Sequence, residues 1–219
     1  MLIDSGVNVR HPHIAGAGSV VSAGVIVDGG RFDPDGDGTV DRLGHGTAAA
    51  AAILDLAPGA RIGSLKVFFD APTRPFPDVL AALAAAIAQR PKFVALPLGT
   101  PRSDWDEPLL GLIAEAAAVG VRLVAPASFG GISCRPGGLR GVLGVIEDAS
   151  RARERPVAEA GADGRTFWFA SPYPKDAPGI PRAKNFRGPS FATANVVGHL
   201  LATGATGATG ASAATNLRA

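Results

Sequence analysis

The chain is poor in the residues that carry redox, metal and aromatic chemistry: one cysteine, one methionine, one tyrosine and two tryptophans in 219 residues. A lone Cys134 excludes an internal disulfide, and neither a Cys-x-x-Cys pair nor a Cys/His metal spacing occurs. Nothing near Cys134 in sequence offers it a base, so it reads as an inert small residue rather than a nucleophile. No stretch approaches the roughly 18 apolar residues needed to cross a membrane, and no charged-then-apolar signal segment opens the chain. The expectation is a cytoplasmic protein with no membrane partner, provided that nothing precedes Met1. An excess of one charge is also lacking: the formal net charge is +2. The arginines are scattered rather than gathered into a run that could track phosphates, which argues against a nucleic-acid partner.

What is abundant is small and apolar. Apolar residues make up 47% of the chain and glycines number 29, enough for one well-buried core with closely packed helices and tight turns. Short β-branched or apolar runs alternate with longer alanine-rich segments, the pattern of parallel strands joined by helical crossovers in an α/β domain. Candidate strands fall at 1–4, 19–27, 61–67, 93–98, 122–125, 141–146 and 166–170. Helices are expected to begin near Gly46, Pro77, Asp106 and Ser190, with Asp78 as a cap and Gly120 as a stop. The domain is taken to run over 1–202. Residues 203–219, built of Thr-Gly-Ala repeats with no periodic apolar face, read as a disordered tail.

Three short segments carry candidate chemistry. Leu2-Ile3-Asp4-Ser5-Gly6 is an apolar run ending in an acid and a small-residue turn, which sets Asp4 at the carboxyl end of a strand, the edge where α/β sheets gather catalytic groups. Taken alone, an aspartate in this place is more often an ordinary turn residue. Gly44-His45-Gly46-Thr47 puts a histidine in the first turn of an alanine-rich helix, where a structural histidine is also common. Gly188-Pro189-Ser190-Phe191-Ala192-Thr193 launches a helix from a turn. Its serine could be a nucleophile beside the positive end of a helix dipole, or simply a helix cap.

The conjunction decides between these readings. Asp, then His, then Ser near the end is the order of the catalytic residues in subtilisin, and IDSG, GHGT and GPSFAT resemble the three catalytic motifs of the subtilisin-like serine peptidases. Weaker matches follow in order: Ala57-Pro58-Gly59-Ala60 with Lys66-Val67, Leu96-Pro97-Leu98-Gly99, and the 141–146 strand. The resemblance covers nearly the whole chain. It implies a three-layer subtilisin-like fold, with a central, mostly parallel sheet and helices on both faces. It also implies a peptidase in which Ser190 attacks, His45 transfers the proton and Asp4 orients the imidazole. Leu98 and Gly99 would pair with an extended substrate. Compact members of this kind process modified peptides, so leader removal is the implied task, on a peptide or protein substrate and with no required cofactor.

The chain departs from that family where the developing oxyanion would be held. The family's Asn-bearing segment corresponds to Ala125-Pro126-Ala127-Ser128-Phe129-Gly130, with no asparagine, and Pro189 replaces a threonine. Losing one oxyanion donor costs about 10²–10³ in turnover, a figure measured on a subtilisin. Candidate replacements are the Ser190 N–H, the Ser128 hydroxyl and Asn185. Ala194 and Asn195 stand where Pro and His usually follow the nucleophile, a change expected to affect packing. Asp33, Asp35 and Asp37 are spaced like the first half of a calcium loop, although Gly44 stands where the closing Glu belongs. Calcium and a solvated acidic turn both remain open there. Two other functions remain alongside the peptidase: a peptide-binding module that has lost catalysis, and a macrocyclase or transpeptidase that resolves the acyl-enzyme with an amine.

Overall fold

A computed structural model describes residues 1–161 and 164–205. Eleven strands and four α-helices alternate along it. Nine of the strands form one sheet in the order β10-β11-β9-β6-β5-β1-β4-β2-β3. These are β1 (Leu2–Asp4), β2 (Ser19–Val27), β3 (Arg31–Asp33), β4 (Arg61–Lys66), β5 (Phe93–Ala95), β6 (Arg122–Pro126), β9 (Val142–Glu147), β10 (Val157–Ala160) and β11 (Thr166–Ala170). From β11 to β2 every neighbouring pair is parallel; β10 and β3 close the two edges antiparallel. The α/β expectation holds at this level, with a mixed, mostly parallel sheet. All seven candidate strands exist, most of them within a residue or two of their expected ends.

The alternation of side chains along the central strands splits the core in two. Leu2, Phe93, Ala95 and Val124 turn toward α1 (His45–Leu56) and α4 (Pro189–Thr203). Ile3, Val94, Leu123 and Ala125 turn toward α2 (Phe76–Ala88) and α3 (Asp106–Ala118). This period-two division is what a strand buried on both faces requires. It leaves the carboxyl ends of β1, β5 and β6 side by side at one edge of the sheet.

Two local expectations are corrected. Asp78 does not cap α2, whose N-cap is Pro75 without a side-chain bond; its carboxylate instead pairs with Arg74 at 2.7 Å from a buried position. Ser190 does not cap α4 either, because that place belongs to Gly188. Three features went unread: β3, the exposed edge strand β10, and the small hairpin of β7 (Ser128–Phe129) and β8 (Ile132–Ser133). The hairpin turns on Gly130 and Gly131, both at positive φ, and that Gly-Gly pair was a legible turn signal. Thr203 ends α4 and Gly204 follows in the left-handed conformation; the expected tail beyond residue 205 lies outside the described residues.

The alanine-rich helices pay off in close approach. A Cβ placed on Gly198 of α4 would stand 2.9 Å from Leu56 Cβ and 3.0 Å from Ile53 O on α1. Gly198→Ala is therefore expected to destabilise the protein by about 1–3 kcal/mol, read as a fall of several degrees in the thermal midpoint. An unchanged midpoint would mean that α1 and α4 can separate without loss.

Candidate active site

Asp4 ends β1 between β4 and β5 and is 2% exposed. A buried carboxylate needs donors, and it has them: the Ser5 N–H donates to Oδ1 at 2.7 Å, and His45 Nδ1 lies 2.9 Å from each carboxylate oxygen. His45 is the first residue of α1, and Gly44 before it takes φ 76°, a turn that delivers the imidazole over the strand end. Gly46 makes this approach possible, since a Cβ there would collide with Gly6 O and stand 3.1 Å from Asp4 Cβ.

The Nδ1–H of His45 donates to Asp4, which leaves Nε2 as the nitrogen available to a reacting proton. Phe191 and Phe186 flank the imidazole, with ring centroids 5.1 and 6.3 Å away. Burial of the ring opposes protonation. The charge of Asp4, its hydrogen bond and the charge of Asp41 outweigh that penalty, so the His45 pKa is held above its ordinary value.

Ser190 occupies the second position of α4, behind Pro189 in the first. Proline is well suited to that place because its missing N–H would have no partner in the helix. The Ser190 hydroxyl donates to Pro97 O at 2.7 Å, just beyond β5. Asp4 and His45 are thus brought into direct contact. Ser190 is brought to the same region through its neighbour Phe191, with its hydroxyl turned to the backbone carbonyl and not hydrogen-bonded to His45.

Ser128 lies in β7, just after β6, and pairs with Ser133 of β8. The Asn185 amide donates to Lys175 O at 3.1 Å and its Oδ1 accepts the Phe186 N–H at 2.8 Å, so it is committed to its own loop. Leu98 is half-buried and Gly99 exposed. The next residue, Thr100, exchanges two backbone hydrogen bonds with Arg135. In the acidic segment, Asp37 Oδ1 accepts from Thr39 N and Oγ1 at 2.7 and 2.5 Å, and Asp33 Oδ1 accepts the Asp35 N–H at 3.2 Å. Among the described residues no group of three or more His, Cys, Asp or Glu side chains gathers to hold a metal ion. Cys134 is buried, and burial pushes its thiol pKa up.

Two polar residues do more than their sequence context suggested. Asn195 is fully buried; its amide donates to Ser171 O and Tyr173 O, both at 2.9 Å, and its oxygen accepts from Arg153. It ties α4 to the loop that leads to Phe186. Asp41 accepts hydrogen bonds from five donors around the first turn of α1. Its signal in the sequence is an acid four residues before the histidine.

No family model matches the chain, and no curated protein matches it. Solved structures do. An S41 psychrophilic protease aligns over 95% of this chain and 77% of its own, at TM-score 0.63 and 20% identity. The prenylagaramide maturation protease PagA aligns over 90% and 72%, at TM-score 0.59 and 18% identity. A lanthipeptide protease aligns over 90% and 69%, at TM-score 0.63 and 18% identity. The resemblance to the subtilisin-like peptidases is corrected by these findings: no family model supports it, and the matching structures bear other names. At such identities the likeness establishes the fold alone.

The raised His45 pKa fixes the sign of a pH effect. Because the folded value lies above the unfolded one of about 6.5, the Asp4–His45 contact stabilises the protein fully below that pH. The contribution is lost as pH rises through the folded value. Chemical denaturation across this range should show the loss in the wild type. Asp4→Asn, which leaves burial as the dominant influence on the ring, should abolish or reverse it.

Proposed function

We propose that this protein is a serine endopeptidase that cleaves peptide bonds through Ser190, His45 and Asp4, and that its task is the maturation or processing of peptides. The observation that carries the reading is the carboxylate–imidazole pair of Asp4 and His45 at the carboxyl edge of the sheet, with the imidazole against Phe191, the residue that follows Ser190 in the first turn of α4. Two of the structurally similar proteins are named for peptide maturation or for a peptide product class, which supports the choice of substrate.

In this mechanism the Ser190 hydroxyl leaves Pro97 O and turns to His45 Nε2. The imidazole takes its proton as Oγ bonds to the substrate carbonyl carbon, Asp4 stabilises the resulting imidazolium, and His45 then returns the proton to the leaving amine. The Ser190 N–H and the positive end of α4 face the oxyanion, with the Ser128 hydroxyl as a second donor. An extended substrate pairs with Leu98 and Gly99 as an added strand.

Two observations favour a second reading, a peptide-binding module without turnover: the Ser190 hydroxyl is bonded to Pro97 O, and the segment Ala125–Gly130 carries no asparagine. A fluorophosphonate probe separates the two. Attack by Ser190 Oγ forms an O–P bond and expels fluoride, with the serine proton passing to His45. Wild type should be labelled on Ser190, and His45→Ala should slow labelling by at least about 100-fold. Labelling of wild type no faster than Ser190→Ala, beside an active control peptidase, would leave the binding module.

A further inference from the structure

The Asp4–His45 contact joins two elements separated by 41 positions in sequence, and nothing in either element alone sets their spacing. What spans the gap is Asp41. Its Oδ1 accepts from Ser5 Oγ at 2.9 Å, Leu43 N at 3.0 Å and Gly44 N at 2.9 Å. Its Oδ2 accepts from Thr47 N at 2.9 Å and Thr47 Oγ1 at 2.6 Å. Both side chains so engaged also bridge the loop after β1 and the first turn of α1. Ser5 Oγ accepts the Gly46 N–H at 3.0 Å, while the Ser5 N–H holds Asp4 Oδ1. Thr47 Oγ1 accepts the Asn8 N–H at 2.9 Å.

The residue before Asp41 is held from below. Lys66, which sits opposite Asp4 in the β1–β4 register, donates from Nζ to Val40 O at 2.5 Å and is 4% exposed. Burial lowers its pKa, and Asp41, Asp70 and Asp37 counter this while Arg42 adds to it. Asp41 also faces His45 electrostatically; the charged groups that raise the imidazole are Asp4 and Asp41.

We infer that Asp41 is a positioning residue for His45: a second carboxylate that clamps the first turn of α1 onto the Asp4 loop and keeps the imidazole in register with Asp4. A helix cap alone satisfies the free N–H groups of one helix end. Asp41 does that and also grips Ser5, the residue next to Asp4, so its loss displaces two groups of the site relative to each other. The role rests on the reading of His45 as the base, and the test is arranged so that the two can fail separately.

The test follows the His45 ring by NMR titration and measures fluorophosphonate labelling in wild type, Asp41→Asn and Ser5→Ala, with thermal midpoints alongside. Asp41→Asn keeps the shape and one acceptor but removes the charge. His45 should then titrate at lower pH than in wild type, and labelling should slow by about 10- to 100-fold, the cost of a small misplacement at a reacting centre. Ser5→Ala cuts the link to the Asp4 loop without changing charge. It should slow labelling while shifting the titration less, and it serves as the test if Asp41→Asn does not fold. A drop in thermal midpoint in either folded variant, with the His45 titration and the labelling rate both unchanged, would reduce Asp41 to a helix cap and overturn the inference. If wild type itself is not labelled, the peptidase reading fails, and the titration still decides whether Asp41 governs the Asp4–His45 pair.

Discussion

The structure depends on one contact, the double approach of Asp4 to His45 Nδ1 at 2.9 Å. A buried carboxylate without a partner would be costly, and burial of the neighbouring imidazole opposes its charge. Together they compensate each other, and the surrounding sequence serves that meeting. β1 must end at residue 4, Gly44 must turn the chain, Gly46 must omit a side chain, and Asp41 must pin the helix start. The Ala-rich body of α1 lets the helix lie flat against α4 while its first turn reaches over the sheet edge.

Much of this was legible beforehand because its signals are local. Apolar runs of four to nine residues marked the strands, and the acid after Leu2-Ile3 stood at a strand end where parallel sheets collect functional groups. His45 between two glycines and Ser190 behind a proline each announced a helix start. The family placement did not survive the comparisons. Motifs of four to six residues report strand ends and helix starts, which proteins of one architecture share whatever their descent, and they are a narrow basis for membership.

What sequence could not supply was the direction in which side chains point. The hydroxyl of Ser190 turns to Pro97 O, a carbonyl 93 positions away, and no pattern around either residue encodes that bond. Asp41 gathers five donors from two segments, Ser5 after β1 and residues 43–47, a convergence that no local pattern encodes. Asn195 looked like a packing change, yet it carries the hydrogen bonds that hold the 171–175 loop to α4. Asn185, a candidate for the oxyanion, donates to Lys175 O and accepts from the Phe186 N–H. For Ser190, Asn195 and the Ser5 link of Asp41 the deciding partner is distant in the chain, so only the folded arrangement reveals it.

The chemistry of the site turns on whether Ser190 can exchange one acceptor for another. Its hydroxyl now satisfies a backbone carbonyl, a bond worth about 1 kcal/mol net, small beside the binding free energy that a peptide laid along Leu98 and Gly99 could supply. The most direct measurement is a crystal structure of the protein after reaction with a fluorophosphonate. The account predicts phosphorus bonded to Ser190 Oγ, with His45 Nε2 turned to the reacting centre and Nδ1 still on Asp4. Unmodified Ser190, still bonded to Pro97 O under conditions that phosphonylate an active serine peptidase, would contradict it.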